Sequence, residues 1–313
     1  MTGAGLMLAG LAIDLALGWP RSLYALWGHP VTWIGRLIER LDGWLNIAGT
    51  ADRDRRIAGL AAALLVIGIA AVTGLLLQSL LPPGWKGLLI GGVLAWPLIA
   101  ARSLRDHVVA VSRPLGGGDI AGARRAVAMI VGRDPDRLDE AGIARATIES
   151  LSENASDGVI APLFWGAIFG LPGIAAYKAI NTLDSMIGHR TPRHEAFGWA
   201  AARIDDLANL IPARLTGLLI AAVSPAPRAA LDCMWREAGS HRSPNAGWPE
   251  AAMAAALDVR LSGPRLYHDR VANEPWINGS ARDPAADGIT RALEICRNAL
   301  ILAAILLLLL WLI

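Results

Sequence analysis

Three acidic side chains recur at helical spacing in the middle of the chain. Glu149, Glu153 and Asp157 follow one another at intervals of four residues, so on one helix they share a face, with Asn154 beside them. Like charges on one face repel, and a cation opposite them, whether Mg²⁺, Arg or Lys, would relieve the repulsion. The alternative is a solvated acidic face. Because the apolar residues 159–165 follow at once, we favour a reaction site.

A second polar cluster interrupts an apolar segment. Asn181, Asp184 and Ser185 recur at helical spacing, and Lys178 lies one turn earlier on the same side. Ionisable side chains within apolar helices are costly, and function is their usual explanation. The alternative is a Lys–Asp pair that only fixes helix packing.

A third cluster has the pattern DDxxN, in which Asp205 and Asp206 precede Asn209 and an apolar helix follows. Arg203 and Arg214 flank it. This pattern resembles the Mg²⁺-diphosphate motifs of membrane prenyltransferases. A motif this short recurs by chance, but the NxxDS pattern upstream strengthens it.

A fourth candidate is the segment 243–250 (SPNAGWPE), whose Pro and Gly residues specify a shaped loop. Ser243 and Asn245 could contact a ligand there, although an ordinary turn is an equal alternative. The sequence contains no GxxxxGK[ST] phosphate loop and no GxGxxG fingerprint. If ATP is used, carboxylate-bound Mg²⁺ and Arg must therefore hold it.

Composition indicates a membrane protein. The chain has 313 residues, 54% of them hydrophobic, with a mean hydropathy of +0.42 and only 18% charged residues. A net charge of +2 gives no reason to expect a nucleic-acid partner. Lys86 and Lys178 are the only lysines in an Arg-rich chain, so a Lys is more informative here than an Arg.

The elements that must position these residues are apolar helices. Residues 57–81 contain no charge and can cross a core of roughly 30 Å, and residues 87–101 can return after a Pro-Pro-Gly turn. The apolar residues 6–17 indicate a helix that is retained in the protein. The helical spacing of apolar residues in 33–45 predicts an amphipathic helix at the membrane surface. Arg-rich flanks place both sides of the 57–101 pair in the cytoplasm.

The remaining segments complete an all-α, polytopic integral membrane protein with roughly 4–5 membrane helices, some broken or re-entrant. We treat residues 1–313 as a single membrane domain. It comprises a cytoplasmic helical segment (102–150) with a helix N-cap at Asp134, the core polar-site motifs (146–214), a cytoplasmic loop-rich segment (224–298) and a C-terminal membrane helix (299–313). Residues 159–179 and 207–223 are apolar but broken by Pro and Gly. We expect them to be re-entrant, which keeps residues 180–206 on the cytoplasmic side.

These motifs, in this order, resemble the CobD/CbiB family, the adenosylcobinamide-phosphate synthases, over most of the chain. The matching segments are residues 28–35 (GHPV and IG), 149–164 (ESLSENASDGVIAPLF), 179–188 (AINTLDSMIG), 197–214 (FGWAAARIDDLANLIPAR) and 243–252 (SPNAGWPEAA). One departure is that Trp19 stands between Gly18 and Pro20 where the family often has Asp. This departure argues against a catalytic role for that turn.

The resemblance implies an ATP-dependent amide ligase of cobalamin biosynthesis. It would join a propionate of adenosylcobyric acid to (R)-1-amino-2-propanol or its O-phosphate, giving adenosylcobinamide phosphate. The implied location is the inner (cytoplasmic) membrane, with the active site facing the cytoplasm. ATP and Mg²⁺ are the expected cofactors, with cobalt only in the corrinoid. Other expected partners are membrane lipid and other cobalamin-assembly enzymes, and an oligomer is compatible with the sequence.

The resemblance also suggests roles for the four clusters. Catalytic roles go to Glu149, Glu153, Asp157, Lys178 and Asp184, and metal ligation to Glu153, Asp157, Asp184, Asp205 and Asp206. Binding of ATP or of the amine phosphate goes to Asn154, Asn181, Arg190, Arg203, Asn209, Arg214, Ser243 and Asn245.

Two alternatives from other classes stay open. A Mg²⁺-dependent membrane phosphotransferase or prenyltransferase would use a diphosphate-bearing lipid and would not need ATP. A non-enzymatic membrane signalling protein would have little use for several intramembrane carboxylates.

Overall fold

A computed structural model describes residues 2–131, 138–267, 270–272 and 274–313. Helices dominate these residues, which confirms the predicted all-α class. The helices are α1 (Gly3–Leu17), α2 (Arg21–Trp27), α3 (Pro30–Leu45), α4 (Asp52–Ser79), α5 (Trp85–Ala95), α6 (Ala101–Gly116), α7 (Ile120–Val127), α8 (Glu140–Ala155), α9 (Ala161–Phe169), α10 (Leu171–Leu183), α11 (Trp199–Ala208), α12 (Leu210–Val223), α13 (Pro227–Glu237), α14 (Gly247–Leu257) and α15 (Ala286–Leu312). The predicted N-cap at Asp134 lies outside the described residues.

Among the described residues, three helical stretches are long and apolar enough to cross a membrane, namely Asp52–Ser79, Trp85–Gly116 and Ala286–Leu312. Two pairs of helices joined at a bend satisfy the same criterion together, which raises the number of candidate spans to as many as five. The pairs are α1 with residues 22–45, and α11 with α12. These helices confirm the expectation of a polytopic membrane protein in which some helices are broken.

The breaks occur where the sequence removes helical hydrogen bonds or requires a left-handed backbone. Pro97 lies in a 3₁₀ turn, Trp96–Leu98, because proline has no N–H to continue the α-helix. Gly170 separates α9 from α10 with φ of +71°, a value that favours glycine. The next N–H, of Leu171, is donated to Gln78 Oε1 at 2.7 Å, so a side chain of α4 caps α10.

Two expectations about the C-terminal third were wrong. Residues 224–298 were expected to be rich in loops, yet α13 and α14 lie there. The last helix begins at Ala286 rather than at residue 299. The reason is burial, because Ile289, Ala292 and Ile295 at the start of α15 pack into an apolar core while polar residues cover the other side.

The chain divides into two compact units, each built from separate stretches of sequence. Unit 1 comprises Met1–Ala100, Ala161–Asn209 and Leu306–Ile313. In this unit α10 packs against α4, and α1 packs against α5 and α9. A core around Ile38, Val66 and Leu183 fills the space between α3, α4 and α10.

Unit 2 comprises Ala101–Ile160 and Leu210–Ile305. In this unit α14 packs against α12, α13 and α8, and its alanines are almost completely buried. Four short strands form two antiparallel pairs, β1 (Leu261–Ser262) with β4 (Trp276–Ile277) and β2 (Arg265–Tyr267) with β3 (Arg270–Ala272). The first pair packs against α8 and α14.

A polar network in unit 1 fixes the segment between α10 and α11. Arg193 donates to Asp42 Oδ2 from Nε at 2.9 Å and from Nη2 at 2.6 Å, and His194 Nε2 lies 3.5 Å from Asp42 Oδ1. Asn46 donates to Asp42 Oδ1 at 2.7 Å and to the Arg193 carbonyl at 2.9 Å. Because Asp42 is buried on α3 and Asn46 is buried at its C-terminal cap, they anchor this segment to the end of that helix.

Replacing Gly59 by Ala should destabilise unit 1, because a Cβ there would overlap the Phe197 carbonyl oxygen. Overpacking of this kind costs about 1–3 kcal/mol. We expect Gly59→Ala to lower the thermal midpoint of the detergent-solubilised protein, followed by circular dichroism. Gly68→Ala on the same helix is the matched control, since nothing lies within 4 Å of its Cβ position. Equal midpoints for the two variants would contradict the packing of α4.

Replacing Asp42 by Asn should loosen the segment between α10 and α11. The change removes a charge-assisted acceptor from Arg193, and such hydrogen bonds contribute about 1.5–3 kcal/mol. The control is Asp52→Asn, because the exposed Asp52 only approaches Arg55 at 3.9 Å. Faster proteolysis at residues 189–198 in Asp42→Asn alone is the expected result, and identical cleavage rates would refute the anchoring role.

Candidate functional site

The predicted site residues divide between the two units. Unit 1 contains Lys178, Asn181, Asp184, Arg190, Arg203, Asp205, Asp206 and Asn209. Unit 2 contains Glu149, Glu153, Asn154, Asp157, Arg214, Ser243 and Asn245. The geometry of each group is described within its own unit.

In unit 1, α10 ends in a π-helical turn, Asp184–Gly188, that begins with the predicted catalytic Asp184. Such turns are rare in proteins, and those that do occur are often found at functional sites. Gly188 leaves room for the Asp184 carboxylate in this orientation, because a Cβ at that position would overlap it. Sequence analysis did not predict this turn, although Gly188 was a signal for it.

The Asp184 carboxyl is electrostatically linked to its neighbours. Burial raises its pKa above the ordinary value for Asp, the charge of His189 opposes this, and the charge of Asp206 adds to it. Asp184 and Asp206 are therefore close enough for their charges to interact. Asp206 also accepts from Arg203 Nη1 at 3.0 Å, so a cation already balances one of the two carboxylates.

Asp205 points into a different environment from Asp206, although the two are adjacent. Asn209 donates from Nδ2 to Asp205 Oδ2 at 3.0 Å and accepts the Tyr177 hydroxyl on Oδ1 at 2.8 Å. All three side chains are buried. The DDxxN motif thus supplies one carboxylate to a buried hydrogen-bond chain and another to Arg203. Sequence analysis missed Tyr177, which precedes the motif lysine.

Lys178 is also buried, with an exposed fraction of 9%. Its carbonyl accepts the Thr182 hydroxyl at 2.6 Å, and Asn181 likewise accepts the Ser185 hydroxyl on its carbonyl at 2.8 Å. These bonds brace the end of α10 from one turn to the next. Arg190 lies just beyond the π-helical turn and is exposed.

In unit 2, the three acidic residues of the first cluster lie in three environments. Glu149 is buried and accepts the Ser262 N–H on Oε1 at 2.7 Å, whereas Glu153 and Asn154 are exposed. Asp157 is half-buried in a second π-helical turn, Ser156–Ile160, which follows α8. The expected regular i, i+4, i+8 face therefore ends before Asp157, because the turn changes the helical repeat.

The loop before α14 contacts Arg214. Its Nη1 donates to Asn245 Oδ1 at 3.3 Å and to the Leu210 carbonyl at 2.8 Å. Ser243 shapes the loop, because its Oγ accepts the N–H groups of Asn245 at 3.3 Å and Ala246 at 3.2 Å. Arg214 therefore lies against the loop that contains Ser243 and Asn245, a contact that sequence analysis did not predict.

A buried His–Glu pair lies behind this loop and was missed in the sequence. His241 Nε2 is 3.7 Å from Glu250 Oε2, and both side chains are almost fully buried. His241 Nδ1 accepts the Ser243 N–H at 3.1 Å. The pair thus supports the loop that contacts Arg214. A His nine residues before a motif Glu is not a recognisable sequence signal.

The acidic side chains of the site bear on metal binding. Among the described residues, no three His, Cys, Asp or Glu side chains form a group that could hold a metal ion on their own. Mg²⁺ usually takes one or two carboxylates and completes its shell with phosphate and water. Asp184 and Asp206 could supply two such carboxylates, and Asp206 already accepts from Arg203 Nη1 at 3.0 Å.

Comparison with known proteins gives consistent results. The family model described as "CobD/Cbib protein" matches residues 7–296. The "Cobalamin biosynthesis protein CobD" of Rhodobacter capsulatus is 63% identical over 300 residues, covering 96% of this chain and 95% of that protein. Proteins of the same name from a Sinorhizobium species (50% over 279 residues, 87% and 86% coverage) and from Sinorhizobium fredii (45% over 301 residues, 94% and 92%) are also similar.

No solved structure matches the chain. The family match nevertheless covers every polar cluster described above, because all of them fall within residues 7–296. The chain therefore belongs to the CobD/CbiB family, whose relatives named above are cobalamin biosynthesis proteins.

Proposed function

We propose that this protein is an ATP-dependent amide ligase of cobalamin biosynthesis, located in the inner membrane with its active site facing the cytoplasm. It would join adenosylcobyric acid to (R)-1-amino-2-propanol O-phosphate, or to the free amino alcohol. The observation that supports this most is the family match over residues 7–296, with the polar motifs complete within it. The burial of Lys178 and Asp205 agrees with a functional role for these groups.

The chemistry requires activation of a poor acylating agent. Transfer of the γ-phosphoryl group of ATP to the propionate carboxylate gives an acyl phosphate and ADP. Attack by the amine then forms the amide, releases phosphate and requires the loss of a proton from the nitrogen. Groups that neutralise phosphate charge and a base that takes the proton are therefore needed.

The residues of unit 1 suit the phosphate side of this chemistry. Asp184 and Asp206 would hold Mg²⁺, which when bound neutralises charge on the phosphates of ATP. Lys178 and Arg190 would contact phosphate oxygens as cations. The buried chain of Tyr177, Asn209 and Asp205 would keep α11 in register with α10 while they do so.

In unit 2, we assign proton acceptance to Glu153 and Asp157, while Glu149 accepts the Ser262 N–H. Arg214 and Asn245 would bind a substrate oxyanion. Ser243 would act through the loop that it shapes.

The reaction itself is tested with the purified, detergent-solubilised protein, Mg-ATP, adenosylcobyric acid and each form of the amine. Phosphate release and corrinoid mass are followed together. We expect one phosphate per amide formed and a higher kcat/KM for the phosphorylated amine. Folded protein that makes no amide with either amine would refute the ligase and favour a Mg²⁺-dependent phosphotransferase.

The two lysines provide a matched pair of variants. Lys178→Gln should reduce turnover by about 100-fold or more, because it removes a buried cation from the proposed phosphate site. Lys86→Gln should leave turnover unchanged, since Lys86 is exposed beside Trp85 at the start of α5. Steady-state rates and the thermal midpoints of both variants are measured. A fully active, folded Lys178→Gln variant would remove Lys178 from the mechanism.

A further inference from the structure

Arg214 is the only charged residue of α12, whose sequence is otherwise apolar. A charged side chain in such a helix is costly, and a partner normally compensates it. Within the described part of the chain, no Asp or Glu forms an ion pair with Arg214. Its contacts are all with neutral groups, the Leu210 carbonyl, the Asn245 amide oxygen and the ring of Trp248. No carboxylate among the described residues therefore neutralises this positive charge.

The Arg214 guanidinium is held in one orientation. Its central carbon lies 4.2 Å from the centroid of the Trp248 ring, and two hydrogen bonds use Nη1. Stacking on one face and bonding at one nitrogen leave Nε and Nη2 as donors in the plane of the group. A planar pair of donors matches two oxygens of a phosphate or carboxylate.

The partners of Arg214 are fixed in turn. Trp248 donates from Nε1 to the Pro244 carbonyl at 3.1 Å and packs edge-on against Trp235, with 5.0 Å between ring centroids. Asn245 is buried, and Ser243 Oγ accepts its backbone N–H. Because these groups are already ordered, binding an anion would need little further ordering of the site.

We propose that Arg214, oriented by Trp248 and Asn245, binds a metal-free phosphate monoester. Given the proposed function, on which this assignment rests, that ester is the O-phosphate of the amino alcohol rather than ATP. The phosphates of Mg-ATP arrive with a cation whose protein ligands are carboxylates. The neutral surroundings of Arg214 suit instead a dianion that arrives without a metal. A substrate carboxylate has related chemistry, and the experiment separates the two.

The test is calorimetric binding to the full-length, detergent-solubilised protein in the absence of ATP and Mg²⁺. The probes are (R)-1-amino-2-propanol O-phosphate, the unphosphorylated amino alcohol and adenosylcobyric acid, with Mg-ATP titrated separately. We expect Arg214→Gln to raise the Kd of the ester about tenfold or more, as loss of charge-assisted hydrogen bonds implies. The Kd values of adenosylcobyric acid and Mg-ATP should not change.

Arg228→Gln is the matched control, because Arg228 is an exposed arginine of α13 in the same unit. It should bind all probes as the wild type does. Arg214→Lys keeps the charge but loses the planar donor pair, so an intermediate Kd for the ester is expected. If Arg214→Gln does not fold, Arg214→Lys replaces it as the test of this site.

The proposal is overturned if the wild type does not bind the ester, or if the Arg214 variants leave its Kd unchanged. It is equally overturned if they weaken Mg-ATP or adenosylcobyric acid instead. Amide synthesis is measured on the same preparations. Ester binding that depends on Arg214 in a protein that forms no amide would refute the ligase alone. Amide synthesis that is insensitive to Arg214 would refute this site alone.

Discussion

Several charged side chains are buried on helices of this protein, and that costs free energy unless each charge is hydrogen-bonded or neutralised. In unit 1, Lys178 and Asp205 each have an exposed fraction of 9%. Asp205 is stabilised by Asn209, which Tyr177 holds in place from α10. In unit 2, Glu149 accepts a backbone N–H of β1. The positions of α10, α11 and β1 therefore depend on the hydrogen bonds that these few buried polar side chains need.

The same requirement explains why irregular backbone coincides with the polar motifs. Both motif segments on long helices, around Asp157 and around Asp184, include a π-helical turn. Such a turn adds a residue to the helical repeat and redirects the side chains that follow it. At Asp184 the turn places the carboxylate against Gly188, where any Cβ would displace it. The π-helical turn thus weakens the helix locally and at the same time orients one carboxylate.

The sequence predicted the structure correctly where a single local pattern, such as an apolar run or a helix-breaking residue, determines it. The apolar run that Pro82-Pro83-Gly84 terminates lies almost entirely within α4, and the predicted interruption of residues 159–179 by Pro and Gly corresponds to the break at Gly170. Long-range contacts were not visible. Nothing local indicates that Asp42 binds Arg193, or that Glu149 meets Ser262 across more than a hundred residues. The start of α15 was placed too late because its first turns alternate buried and polar residues, and hydrophobicity alone detects only the uniform run.

Functional roles are assigned to Lys178 and Arg214 on different observations. For Lys178 the residue type is informative, and for Arg214 its surroundings are. The chain contains only two lysines, so the choice of Lys at 178 is informative in itself. A lysine is a compact charge that can contact any phosphate oxygen. Arginine is the default cation here, so its identity at 214 carries little information, and the surroundings must decide its role. The Arg214 guanidinium is oriented by the ring of Trp248, the amide oxygen of Asn245 and the carbonyl of Leu210. These neutral groups do not cancel its charge. The Arg214 side chain is only partly buried, so an anionic ligand can reach the donors that its neutral partners orient.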